Sequence, residues 1–165
     1  MKRKWVWALS AAVIGVAVWV GTVLATPQSG VTTTFFANKI GFGEIDVHRH
    51  TIPADWQALI KTKGMSDGYV VDNVIKPGGT TGWHSHPGPS LIFVVRGEVT
   101  NYESDDPSCT GQVYSAGSGF VDAGGDDVHS LRNNGSVDAE TIAVQILPSG
   151  APRRIEADVP ANCSP

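Results

Sequence analysis

From Thr33 onward the chain reads as short apolar or alternating runs separated by Gly, Pro, Asn and Asp. Thr33–Val47, Gly68–Ile75, Gly82–His86, Leu91–Tyr102, Gln112–Ser115, Gly119–Asp122, Val128–Arg132 and Thr141–Leu147 have the lengths and residue types of strands. Only Ala54–Lys63, rich in Ala, Gln, Leu and Lys, predicts a helical turn or two. Strands this short bury enough surface only when the sheet folds over itself, so the pattern predicts an all-β, double-sheet roll with side chains alternating inward and outward. The interior of such a roll is where a ligand site is expected.

The N-terminus has a different pattern. Lys2-Arg3-Lys4 precedes a nearly continuous apolar run from Trp5 to Leu24, which ends in the small-residue sequence Val23-Leu24-Ala25. This is the layout of a secretory signal peptide cut after Ala25, although the run is also close to the length of an uncleaved membrane anchor. The expected organisation is a signal segment over residues 1–25, a flexible lead-in over 26–34, a barrel over 35–150 and a tail over 151–165. Cleavage would leave a secreted protein with no membrane attachment.

Charge narrows the partners. Of 12 basic and 16 acidic residues, the signal removes three basic and no acidic ones, leaving a mature net charge of −7. The one adjacent basic pair left, Arg153-Arg154, is too small to track a phosphate backbone, so nucleic acid is excluded as a partner. A small molecule or a carbohydrate remains the expected substrate. Two cysteines, Cys109 and Cys163, favour a disulfide over a metal site in an exported chain, and bridging them would pin the Pro-rich tail to the barrel wall.

Candidate chemistry concentrates in Gly82-Trp83-His84-Ser85-His86-Pro87. On a strand, alternate side chains share a face, so His84 and His86 can point at one ion. His129, in Asp127-Val128-His129-Ser130, follows another Gly-rich turn and is placed to return to the same site. A second alternation, Glu44, Asp46, His48 and His50, lacks the Gly-turn context and reads as a solvated strand face. The acid pairs Asp105-Asp106 and Asp126-Asp127 lie in turn-like sequence and serve turn geometry. No Gly-x-Ser-x-Gly, phosphate-cradling loop or His-Glu-x-x-His offers a rival apparatus.

Gly78, His84, His86 and Gly97, at their spacing, resemble the first motif of the cupins, with Ser90 standing where that family carries a metal-binding glutamate. His129 and Asn133 resemble the end of the second motif, whose earlier positions fit less well because Gly124 and Asp126 replace a proline and a glycine. The chain is also similar to small exported bacterial cupins with paired cysteines. The resemblance implies a jelly roll, a double-stranded β-helix, holding one divalent transition metal ion on His84, His86 and His129. It further implies a homodimer.

Three neutral imidazoles suit copper, iron or zinc and leave open positions. Loss of the carboxylate at Ser90 disfavours manganese, and copper ranks first because ferrous iron is hard to keep reduced outside a cell. The expected function is therefore a secreted metal-dependent oxidoreductase using dioxygen or peroxide, with a non-enzymatic metal- or small-ligand-binding module as the alternative. Zinc-assisted lyase or isomerase chemistry stands behind both. Tyr69, Ser90, Phe93, Val95 and Gln145 are candidate pocket residues, with Gln145 facing either the metal or solvent. Trp83 is expected on the outer face, Asn133 in a turn, and Arg132 either at a turn or on an anionic substrate. No general base is evident, since Glu98 and Glu103 lie beyond the motif strand.

Overall fold

The computed structural model describes residues 26–51 and 56–163, and the expected signal segment over 1–25 lies outside them. The described residues form twelve strands and no helix. In chain order these are β1 (Ser29–Phe42), β2 (Asp46–Thr51), β3 (Trp56–Lys61), β4 (Ser66–Thr80), β5 (His84–Ser85), β6 (Ser90–Arg96), β7 (Glu98–Glu103), β8 (Gln112–Ser115), β9 (Gly119–Asp122), β10 (His129–Arg132), β11 (Ala139–Pro148) and β12 (Ile155–Glu156).

Ten of these strands make one continuous sheet, with the path β12-β5-β10-β4-β11-β6-β9 and with β1, β7 and β8 attached through β4, β10 and β7. The strands and their pairing fulfil the expected all-β, double-stranded β-helical architecture. Long β4 organises it by pairing antiparallel with β1 on one side and β11 on the other. Strand β11 then pairs with β6, and β6 with β9.

Alternation along β11 is complete: Ala139, Thr141, Ala143, Gln145 and Leu147 face inward and are buried, while the residues between them are half-buried. Cross-strand registration stacks these into rows. Tyr69, Gln145, Ser90 and Asp122 form one row across β4, β11, β6 and β9. Val71, Ala143, Ile92 and Phe120 form the next. Two apolar clusters result, one around Tyr69, Val71, Ile92, Ala143 and Leu147, the other around Ile75, Val94, Val99, Leu131 and Ala139.

Three expectations are corrected. Residues 29–34, read as part of a flexible lead-in, belong to β1, where the β-branched run Val31-Thr32-Thr33-Thr34 pairs with β4. Of the helical turn expected over 54–63, residues 54 and 55 lie outside the described residues, and Trp56–Lys61 is instead strand β3, which pairs with β2 along its whole length as a separate two-stranded sheet. Pairing with a neighbouring strand overrides the helix preference of Ala58, Leu59 and Lys61. The strand expected over 33–47 is two strands, broken between Phe42 and Asp46.

The tail is more than a tether. Cys109 and Cys163 form a disulfide with a Cα–Cα distance of 5.3 Å, compatible with an oxidising compartment. Asn162 Nδ2 also donates to the Asp106 carbonyl. Upstream, β12 pairs with β5, setting Glu156 opposite His84. The tail thereby becomes a wall of the site.

Candidate metal centre

His84 sits on β5 and His129 opens β10, and the two are direct cross-strand partners. His86 lies just past β5. All three are buried, and their ligand atoms lie within 4.8 Å of one another. Among the described residues this is the one group of three or more His, Cys, Asp or Glu within reach of a common ion. The backbone turn that delivers them requires glycine: Gly82 has φ +69°, and a Cβ there would lie 2.0 Å from the Thr26 carbonyl oxygen.

Hydrogen bonds orient the rings. His84 Nδ1 lies 2.8 Å from the Gly82 carbonyl and His86 Nδ1 lies 2.6 Å from the Arg153 carbonyl. A carbonyl only accepts, so each Nδ1 carries the proton and each Nε2 presents a lone pair. His84 Nε2 then faces His129 Nε2 at 3.2 Å. Nitrogens this close share either a proton or a cation, and Nδ1–H donation to a carbonyl is the usual support of an imidazole ligand. The donor set therefore fits a transition metal ion.

Electrostatics points the same way. Burial pushes the proton affinity of His84 down, and the Arg154 guanidinium and the two neighbouring imidazoles further disfavour a charged His84. Burial also lowers that of His86, against the raising effects of the Arg153 carbonyl and Asp122. His129 is pushed down to about 4, again chiefly by burial, with Asp122 opposing. Neutral imidazole is the form that binds metal.

The pocket candidates divide. Ser90 and Gln145, each only 1% exposed, line the chamber beside the histidines. Gln145 Nε2 donates to Ser90 Oγ at 2.9 Å, and its Oε1 accepts from Arg153 Nη1 at 3.3 Å. Gln145 thus faces the site and not solvent. Tyr69 is buried in the same row but packs in the neighbouring apolar cluster and does not border the chamber. Phe93, at 49% exposure, and Val95 point outward; Ile92 takes the inward place. Ser90, whose side chain meets Gln145 inside, sets that phase for β6.

Other assignments follow the geometry. Trp83 is 3% exposed and so is packed into the protein, not offered as an interface aromatic. Asn133 has the expected structural role, donating to the Ile75 and Val137 carbonyls and accepting from the Gly135 amide. Arg132 lies over the Tyr102 ring and does not line the chamber. Glu44 accepts from the Gly64 amide and Asp46 pairs with Lys61, so that stripe forms strand-face contacts. Asp106 accepts from the Ser108 and Thr110 amides, as a turn residue does. Glu103 accepts from Asn101 and does not border the chamber.

Two features escaped the sequence reading. Asp122, buried at the end of β9, holds Oδ2 3.9 Å from His86 Nε2 with no hydrogen-bond partner, while Oδ1 accepts from the Gly124 amide. A buried carboxylate oxygen without a partner is costly unless a cation or water completes it. Asp122 therefore stands behind His86, outside the three-histidine group that could share one ion. Arg153 and Arg154 also line the chamber, delivered by the tail. The available signals were the isolated basic pair in the sequence and the inward phase that β6–β9 pairing gives to Asp122.

Comparison with known proteins places these observations in a family context. A family profile described as the Cupin domain matches residues 73–145. The polyketide cyclase RemF of Streptomyces resistomycificus is similar in fold, with TM-score 0.54 and 13% identity over 85% of this chain and 80% of that one. A cupin superfamily protein of Desulfitobacterium hafniense gives TM-score 0.50 and 8% identity over 74% of this chain and 83% of that one. A double-stranded β-helix protein of Klebsiella pneumoniae gives TM-score 0.48 and 19% identity over 71% and 86%. No curated protein matches the sequence.

Proposed function

The chain belongs to the cupin superfamily, and from that premise we propose that it is a secreted metal-dependent oxidoreductase acting on a small organic or carbohydrate substrate. The observation that carries this reading is the convergence of His84, His86 and His129, two of them with Nδ1 fixed by carbonyls and Nε2 turned inward. Copper is the first choice of ion, followed by iron or zinc. A bound copper or iron ion would supply electron transfer with dioxygen or peroxide and would polarise an oxygen donor of the substrate.

The chain's own residues prepare that chemistry. The Gly82 and Arg153 carbonyls keep two rings in the ligating tautomer, and burial keeps all three rings neutral. Asp122 supplies negative charge beside His86. The chamber at the histidines has a volume of about 40 Å³, enough for roughly three waters or a diatomic molecule. An organic substrate therefore approaches from the wider opening beyond it, whose volume is about 590 Å³.

The test is oxygen uptake by copper- or iron-loaded protein across phenols, small acids, sugars and polysaccharides. Uptake that disappears in His84→Ala supports oxidation. Tight metal binding with no uptake on any substrate contradicts it and leaves the alternative, a module that binds metal or a small ligand without turnover.

A further inference from the structure

The two tail arginines differ in how their charge is met. Arg154 donates to Glu156 and, through Nη2, to the Thr81 carbonyl at 2.7 Å, so its guanidinium is neutralised and anchored. Arg153 is partly buried, yet no carboxylate among the described residues pairs with it. Its polar side-chain contact is the 3.3 Å bond to Gln145 Oε1, and its Cζ lies 5.4 Å from the centre of the Phe35 ring. A guanidinium carries five N–H donors in a planar fork suited to a carboxylate. Partial burial, with the Arg154 guanidinium adjacent, makes a charge without a carboxylate partner costly.

Position gives this cation a use. Arg153, Arg154, Gln28 and Thr33 line both the narrow histidine chamber and the open cavity of about 590 Å³, whose wall also includes Phe35. That volume is in the range of small-molecule sites. The main chain of Arg153 is fixed by His86, whose Nδ1 donates to its carbonyl. One residue thus joins the opening to the metal-ligating ring.

We propose that Arg153 receives a small aryl carboxylate, whose carboxylate engages the guanidinium in the outer cavity while its ring lies against Phe35. The fork meets the two carboxylate oxygens, the flat apolar body covers the exposed phenyl face, and the unmatched positive charge is balanced. This names the substrate class of the oxidoreductase reading and rests on it for the chemistry, but anion capture itself requires no metal.

Benzoate is the probe, with benzamide as its neutral counterpart, titrated calorimetrically into metal-free and zinc-loaded full-length protein. Saturable benzoate binding is expected in both forms, weakened about tenfold or more in Arg153→Gln, which loses the charged hydrogen-bond donor. Arg153→Lys, which keeps charge but loses the fork, should fall between the two. Arg96→Gln, which removes a charge from the remote Arg96–Glu140 pair, should bind benzoate as the wild type does. Benzamide should not distinguish wild type from Arg153→Gln. Equal benzoate affinity in folded wild type, Arg153→Gln and Arg153→Lys overturns the proposal, as does the absence of saturable binding by wild type. Benzoate binding that depends on Arg153 in a protein that takes up no metal would instead defeat the oxidoreductase reading and leave this inference standing.

Discussion

Ser90 on β6 and Asp122 on β9 are direct cross-strand partners, both buried and both facing the interior. Strand β6 presents the Ser90 hydroxyl, and the adjacent β9 presents a carboxylate 3.9 Å from His86 Nε2.

Replacing Asp122 by Asn should preserve the fold, because an amide oxygen can still accept from Gly124. It should weaken metal binding by roughly 10- to 100-fold, the cost usual for losing a group that supports a ligand. Competition against a chelator measures this. Adding Ser90→Glu to Asp122→Asn should recover much of the affinity, because the two positions face each other.

Acid should destabilise the metal-free protein. His84, His86 and His129 have proton affinities lowered by burial, so the unfolded chain binds protons that the folded chain rejects. Stability is then unaffected above about pH 6.5, the unfolded value, and declines as pH falls from there toward 4, where His129 itself titrates. Each histidine contributes a slope of up to about 1.4 kcal/mol per pH unit. Urea unfolding between pH 7.5 and pH 4.5 tests the sign, and His129→Gln should flatten the decline.

The disulfide should matter to both stability and metal. Closing a 54-residue separation is worth up to about 4 kcal/mol by loop entropy, so Cys163→Ser should cost about 2–4 kcal/mol in urea unfolding. Because β12 pairs with β5 and Arg153 holds His86, loosening the tail should also weaken metal binding. A metal affinity unchanged in Cys163→Ser would show that β12 holds its place without the bridge.

Gln145→Leu should destabilise the protein by about 1–3 kcal/mol, since Arg153 loses a partner and the buried Ser90 hydroxyl loses its donor. Thermal or urea unfolding of that variant against wild type gives the value.

The histidines were legible because their signal is local: two imidazoles one residue apart after a glycine turn need no knowledge of distant contacts. The inward set of β11 was not legible, because Thr141–Leu147 is apolar except at Thr141 and Gln145, and only its pairing with β4 and β6 turns Gln145 inward. Phe93 was misplaced because Leu91 through Val95 are all apolar, and a run without alternation does not reveal which set faces inward. Only the pairing of Ser90 with Gln145 and Asp122 sets that phase. Asp122 and Arg153 were missed for a related reason: their roles come from strand neighbours, and 67 residues separate Arg153 from the His86 ring it supports.

The central claim is that three imidazoles share one ion. Elemental analysis of wild type and His129→Ala, each dialysed against trace copper, tests it most directly. The account predicts close to one ion per wild-type chain, an electron paramagnetic resonance spectrum with several nitrogen ligands, and a sharp loss of both in the variant. A wild type that retains no metal, or a His129→Ala protein that keeps the same stoichiometry and spectrum, would contradict it.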